Sequence, residues 1–294
     1  MSADLRTAIA QARARLVRAG LASEEATASA RVLAEHVLGW DRAQVLIQDH
    51  LPPPAGFPRR YEALITRRAA REPLAYITGE KAFWDVTVAV TPAVLIPRPE
   101  TELIIEAAVG TWPREAALRI LDVGTGSGCL AVVLARLFPH AQVVATDVSA
   151  AALFVAATNA RRLGVRDRIG FVRADLLRGL RGRFDLIVSN PPYIPLSDAG
   201  TLSPDVAEHE PASALFSGPD GLTAIRQLLS VLPQALASRG RCLLECGRGQ
   251  DAAIEALCAH ERLRLVTWVE DLQQIRRVAV IEAAALASDT TTVM

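Results

Sequence analysis

Lysine is almost missing from this chain: Lys81 stands alone among 32 basic residues, and the rest are arginine. So uniform a bias reads as a property of the source rather than as phosphate recognition. Net charge is missing too, with 32 basic residues against 32 acidic ones. A dedicated non-specific nucleic-acid binder is usually clearly basic, so the balance argues against one. It leaves room for an enzyme that visits RNA briefly. No apolar run reaches the ~18 residues of a membrane span. The N-terminus spreads its charges and lacks the apolar segment of a secretory signal, so it reads as a core-facing helix in a cytoplasmic, membrane-free protein. The four cysteines, Cys129, Cys242, Cys246 and Cys258, form no CxxC pair. A zinc ribbon or thioredoxin motif is therefore not expected, nor any metal site. They read as buried thiols of a reducing compartment, with Cys242 and Cys246 on one face of a strand.

What the chain does have is core: 51% hydrophobic and 22% charged residues over 294 positions, enough for two domains. Residues 1–75 read as helical. Val32, Leu33, Val37 and Trp40 have helical spacing, with Ser23 as a cap. Asp41 and Gln44 make a capping box for a helix carrying Leu46 and Ile47. The proline-rich stretch 51–58 is a loop. Residues 59–71 form a basic amphipathic helix, ended by Pro73, whose Arg59, Arg60, Arg67, Arg68 and Arg71 read as a solvated face. Residues 76–97 change pattern: Phe83, Trp84, Val86, Val88, Val90, Val94 and Ile96 suggest a β-hairpin linker with Pro92 in its turn. Over 98–286 short β-branched runs alternate with helices, which predicts an α/β domain with a mostly parallel sheet covered on both faces. The polar tail 287–294 reads as disordered.

Three motifs carry chemistry. In LDVGTGSG, at the end of the first strand of that domain, Gly124, Gly126 and Gly128 permit a tight strand-to-helix turn and let a ligand approach bare backbone. Asp147, at the end of the next strand, can accept hydrogen bonds from both hydroxyls of a ribose. A pyrophosphate-binding turn would want GxGxxG, but Cys129 stands where its third glycine would be. An adenosine ligand without pyrophosphate fits better. S-adenosylmethionine has a compact cationic end that Asp122 would suit, directly or through water. Asp175, after the third strand, could meet the adenine amino group.

The second motif, Asn190-Pro191-Pro192-Tyr193, follows the strand FDLIVS. Ligands of open α/β sheets bind at such carboxyl ends. Asn190 offers an amide and Pro191 a free carbonyl, Pro192 stiffens the backbone, and Tyr193 offers a flat face for stacking. Those parts suit a planar, conjugated nitrogen, turned so that its lone pair faces a methyl group. Catalysis would then be mainly alignment, worth up to ~7–11 kcal/mol in favourable systems. The third motif, Pro97-Arg98-Pro99-Glu100-Thr101-Glu102, reads as a rigid hinge beside the cofactor, with Thr101 starting a helix.

With these motifs together, the chain resembles the peptide chain release factor N5-glutamine methyltransferases, the PrmC/HemK family. The resemblance covers nearly the whole chain: helical N-terminal domain, hairpin, IPRPETE, DVGTGSG, TDVS, NPPY and the later HEP..AL..GPDGL. It implies a class I S-adenosylmethionine-dependent methyltransferase with a Rossmann-like seven-stranded sheet, a small all-helical N-terminal domain and a β-hairpin linker. It implies S-adenosyl-L-methionine as cofactor, S-adenosyl-L-homocysteine as product, and N5-methylation of the GGQ glutamine in class 1 release factors. Carried over, the cofactor loop falls on Gly124, Thr125, Gly126, Ser127 and Gly128, and the ribose carboxylate on Asp147. Asp175 and Leu176 fall beside the adenine, and Asn190 beside the cofactor. Asn190, Pro191, Pro192 and Tyr193 hold the substrate, with Asn190, Pro191 and Tyr193 as the catalytic set. The helical domain would help grip a protein substrate, and the enzyme is expected to act as a monomer without stable nucleic acid. Three places depart from the family pattern: Leu176, where relatives often carry an aromatic residue, the late segment DLQQIRRV, and SGPDG.

Two other readings compete. NPPY also suits an exocyclic base amine of RNA or DNA, but the zero net charge and the absence of an aromatic-rich basic insertion weigh against it. A non-catalytic adenosine-binding module is opposed by the intact Asn190–Tyr193 segment.

Overall fold

The computed structural model describes residues 4–284. The chain folds into two compact units, one formed by the chain up to Glu80 with Ser203–His209, the other by Lys81–Leu202 and the chain from Glu210 on.

The first unit is helical: α1 (Leu5–Arg18), α2 (Ser23–Leu38), α3 (Arg42–Gln48), α4 (Phe57–Ala69) and α5 (Leu74–Thr78). Leu5, Leu16, Leu33 and Ile65 close its core. The Asp41 capping box forms, with Asp41 Oδ1 accepting from the Gln44 N–H at 2.8 Å and Gln44 Oε1 from the Asp41 N–H at 2.9 Å. Ser23 does not cap. It is the first helical residue, and Ala22 holds the cap position without a side-chain bond. Leu46 and Ile47 face outward, and Val45 is the buried residue of α3.

Arg68 departs from the solvated face expected of its helix, being only 2% exposed. Its guanidinium has enough partners to offset desolvation. It donates to Asp205 Oδ2 at 2.7 Å and to the Glu72 carbonyl at 2.9 Å, and pairs with Glu25. Arg71 adds a second contact to Asp205, at 2.6 Å. Asp205 sits on a short helix far along the chain, and no local pattern in 59–71 announces it.

The second unit opens on a hairpin, β1 (Glu80–Phe83) and β2 (Val86–Ala89), turning at Trp84–Asp85. It is shorter than the predicted 76–97. Tyr76 belongs to α5, and Val94 and Ile96 are buried without strand structure. Pro92 occupies a later turn, closed by the Val94 N–H to the Thr91 carbonyl at 3.0 Å. That places it where a fixed φ helps and a missing N–H does no harm.

The rest alternates: α6 (Glu102–Thr111), β3 (Arg119–Val123), α7 (Cys129–Leu137), β4 (Gln142–Asp147), α8 (Ala150–Arg162), β5 (Ile169–Arg173) and β6 (Phe184–Ser189). After α9 (Pro204–His209), which belongs to the first unit, come α10 (Ala212–Leu215), α11 (Thr223–Ala235), β7 (Leu236–Glu245), α12 (Asp251–His260), β8 (Leu263–Glu270) and β9 (Arg276–Ala283). Seven strands form one sheet in the order β5-β4-β3-β6-β7-β9-β8, parallel except for β9, which runs against both neighbours. Both faces are covered. Leu121 and Val123 join a core with Ile225, Leu228 and Leu229 of α11 and Ile254 of α12, while Ile120 and Asp122, pointing the other way, are just as buried. Cys242 and Cys246 share the α11–α12 core, and all four cysteines are buried and free. Among the described residues no helix is long and apolar enough to cross a membrane. The predicted tail 287–294 lies outside the described residues.

The chain runs β3, β4, β5 in one direction and then returns to place β6 on the other side of β3. That reversal opens a crevice at the carboxyl ends of β3 and β6, where open α/β sheets bind their ligands.

Candidate functional site

At that crevice lies a cavity of about 270 Å³, close to the lower bound of the roughly 300–1,000 Å³ usual for small-molecule sites. The loop after β3 forms its floor. The N–H groups of Gly124 and Thr125 both donate to the Thr146 carbonyl, at 2.9 and 2.8 Å, which folds the loop over the end of β4. The Asp147 carboxylate braces it. One oxygen accepts from the Gly126 N–H at 3.0 Å and the other from the Ser149 N–H at 2.8 Å. Each oxygen keeps a second lone pair for a hydroxyl.

The glycines divide their work. A Cβ on Gly124 would meet nothing within 4 Å, so that backbone lies open to a ligand. Gly128 is buried, has φ +79°, and a Cβ there would lie 2.9 Å from the Ala156 Cβ. It permits α7 to start close against α8. Gly128→Ala is therefore expected to destabilise the fold by about 2–4 kcal/mol, from left-handed strain plus overpacking. Urea unfolding checks this, and a loss under about 1 kcal/mol would show that the helix pair can shift apart.

Asp122 does not line the cavity. It is 1% exposed, and its Oδ2 accepts from the Thr125 hydroxyl at 2.5 Å and the Ala131 N–H at 3.1 Å. It pins the loop to α7 from behind. Burial pushes its carboxyl up to about 7, against the pull of those two hydrogen bonds. Of the two approaches to a cationic ligand end expected of it, direct or through water, the direct one would need Asp122 in the cavity lining, which does not include it.

The upper walls come from several segments. Val148, Asp175 and Leu176 line one side. Asp175 is exposed and pairs with Arg178 at 3.4 Å, and Leu176 holds a left-handed φ of 53° that turns it into the wall. Asn190, Pro191 and Pro192 line the opposite side, with Thr101 and Pro97 next to them. Asn190 Nδ2 donates to Thr101 Oγ1 at 2.9 Å. With the amide nitrogen so engaged, Oδ1 is the part of Asn190 left to accept. Thr101 stands at the N-terminus of α6 without a side-chain capping bond, its own backbone being helical there (φ −65°, ψ −21°).

The crevice therefore gathers Gly124, Thr125, Gly126, Ser127, Asp147, Asp175, Leu176, Asn190, Pro191 and Pro192 of the predicted set. It does not gather Gly128 or Tyr193. The Tyr193 hydroxyl donates to Glu245 Oε1 at 3.3 Å, and a Cβ on Gly247 would lie 3.1 Å from the ring. Arg98 is likewise turned from the cavity, paired at 2.5 Å with Glu210, whose other oxygen accepts from the Ile96 N–H at 3.1 Å.

Sequence reasoning missed several supporting residues. Buried Asn159 in α8 donates to the carbonyls of Ser127 and Ala89 and accepts from the Ala89 N–H, which ties β2 to the glycine loop. An asparagine in mid-helix was its only signal. Glu210 was visible inside HEP, without a partner to give it meaning. Glu245 and Gln250 had no local signal at all.

A glycine loop after the first strand of the sheet, a carboxylate after the second and Asn-Pro-Pro after the fourth, at one crevice of a seven-stranded sheet, define the class I methyltransferase fold. A methyltransferase from Pyrococcus furiosus shares it at a TM-score of 0.52, with 17% identity over 77% of this chain and 98% of that one. Residues 7–79 match the model of the PrmC N-terminal domain, and residues 101–207 that of the methyltransferase small domain. The release factor glutamine methyltransferase of Cereibacter sphaeroides is 43% identical over 88% of this chain and 91% of its own length. That of Bordetella pertussis is 44% identical over 85% and 92%. The chain belongs to the release factor glutamine methyltransferase family.

Proposed function

We propose that this chain methylates the N5 nitrogen of the GGQ glutamine in class 1 peptide chain release factors, with S-adenosyl-L-methionine as cofactor. The observation that carries this reading is the Asn190–Thr101 bond, which fixes the Asn190 amide and leaves Oδ1 to accept an N–H at the cavity wall. The Pro191 carbonyl is the natural acceptor for the second N–H of a primary amide, since Pro191 lines the same cavity wall as Asn190 and a backbone carbonyl carries two lone pairs.

The residues present fit that cofactor. Bare backbone at Gly124 lies beside a carboxylate with lone pairs to spare, the arrangement that takes a ribose. Gly124, Thr125, Gly126, Ser127, Asp147, Asp175 and Leu176 would hold it. When bound, it supplies an electrophilic methyl group whose departure leaves a neutral thioether. An amide nitrogen is a poor nucleophile because its lone pair is conjugated. Two acceptors on its hydrogens turn that pair toward the methyl carbon. Asn190 Oδ1 and the Pro191 carbonyl would hold that amide through the transfer, and the proton the nitrogen loses would pass to water. Alignment, not a strong base, carries the rate. The helical unit is assigned a share of the grip on the protein substrate, and the cytoplasm is where enzyme and release factor would meet.

The test incubates the protein with methyl-labelled cofactor and a release factor, and with ribosomal RNA and DNA in parallel. Label should appear on the release factor and map to the GGQ glutamine. Label on nucleic acid alone would favour a base amine as substrate and sink the reading.

A further inference from the structure

The end of β7 and the segment that follows it hold Tyr193 at its hydroxyl and its carbonyl. Tyr193 donates its hydroxyl to Glu245 Oε1, and Gln250 Nε2 donates to the Tyr193 carbonyl at 2.9 Å. Gln250 is fixed in turn, its Oε1 accepting from the Gly247 N–H at 2.9 Å. Two glycines leave room for this wedge. A Cβ on Gly221 would lie 2.3 Å from the Tyr193 carbonyl oxygen, and one on Gly247 3.1 Å from its ring. At the other end of the same four-residue segment, Asn190 donates to Thr101.

Glu245 holds the Tyr193 end of that segment. Its Oε1 accepts from the Tyr193 hydroxyl at 3.3 Å, and it is 1% exposed. Its Oε2 has no hydrogen-bond partner. Burying a carboxyl so incompletely satisfied is unfavourable for the fold. A buried ionisable group with so few partners is weak evidence of a role in stability. Burial pushes this acid up to about 7, so a neutral carboxyl able both to donate and to accept is available there.

We infer that Glu245 is a positioning residue for methyl transfer: acting through the Tyr193 hydroxyl, with Gln250 bracing the Tyr193 carbonyl, it fixes the far end of the Asn190–Tyr193 segment and so the turn of the Asn190 amide. It does not line the cavity and does not touch the reacting atoms. Tyr193 on this account is a peg rather than a stacking platform. The inference rests on the reading of Asn190 as the group that aligns the substrate amide.

Three variants test it: Glu245→Ala, Glu245→Gln and Tyr193→Phe. Two readouts are needed. The first is kcat and KM on a release factor, with S-adenosyl-L-homocysteine affinity by calorimetry alongside. The second is the side-chain amide 15N–1H pair of Asn190, assigned by its disappearance in Asn190→Ala, recorded without substrate. Glu245→Ala and Tyr193→Phe should lower kcat roughly 10- to 100-fold, the usual result of a misplaced aligning group, with KM and cofactor affinity unchanged. The Asn190 pair should move toward free-amide positions in both. Glu245→Gln, which keeps a donor and an acceptor, should restore most of both signals. Should Glu245→Ala not fold, Tyr193→Phe decides alone, because it removes one hydroxyl and keeps the ring. Wild-type kcat with unmoved Asn190 resonances in Tyr193→Phe overturns the inference. A wild-type protein that labels no release factor overturns the proposed activity instead and leaves the resonance result standing, so the two failures are distinct.

Discussion

Replacing Asn190 with alanine is expected to lower methyl transfer to a release factor by about 100-fold or more in kcat, with cofactor affinity left nearly intact. The reason is the division of labour at the crevice. Cofactor is held by the loop after β3 and by Asp147, whose bonds to Gly126 and Ser149 do not pass through Asn190. Asn190 is tied to Thr101 alone among the residues named at the site, and its free Oδ1 is the atom with which to take a substrate N–H. Removing it leaves the amide bound but unaligned, and an unaligned conjugated nitrogen does not react. A loss confined to an interaction made at the transition state lowers kcat and kcat/KM together. Asn190→Asp makes the sharper comparison. It keeps the size and the acceptor but loses the donor to Thr101, so it should fall well below wild type while exceeding alanine. Equal turnover by Asn190→Ala would remove alignment by this residue from the mechanism.

The second large effect lies with the cofactor. Asp147→Ala should weaken S-adenosyl-L-homocysteine binding by at least roughly 10- to 100-fold, since hydrogen bonds to a charged acceptor contribute about 1.5–3 kcal/mol each. Two contributions add here. One is the lost acceptor for ribose hydroxyls. The other is the loosened loop, because Asp147 also holds the N–H groups of Gly126 and Ser149. Asp147→Asn separates them. Its single carbonyl oxygen can still brace the loop through one bond, whereas it accepts only part of what a ribose offers. Affinity in the order wild type, asparagine, alanine, measured by titration calorimetry, is the expected pattern. Unchanged affinity in Asp147→Ala would place the ribose elsewhere.

How much of this was legible beforehand differs from element to element. The strands β3, β4, β6 and β9 fall within a residue of their apolar runs, because a strand buried on both faces must be β-branched and continuous, a pattern that survives any tertiary detail. The glycine loop, Asp147 and Asn190 were legible for a related reason. Each sits at the end of a strand, and the ends of parallel strands converge whatever else the chain does. The hairpin was misplaced because its turn is set by Trp84, which adopts φ 54° where no glycine or asparagine marks it, while Pro92 nearby gives a louder turn signal that belongs to the next bend. Arg68 was misread as solvated because its partner Asp205 is remote in sequence.

What the amino-acid order determined alone is therefore the sheet, its covering helices and the class of ligand its strand tips present, since these follow from periodicity and from residue types at fixed offsets. Tertiary structure alone decided which polar groups face the crevice and which stand behind it. Asp122, Tyr193 and Glu245 are all polar and all close to the strand ends, yet they lie behind the cavity wall as ties for the loop and the Asn190 segment. The physical reason is that a buried polar group must find partners, and those partners come from distant strands and helices that only the folded chain brings within hydrogen-bonding reach.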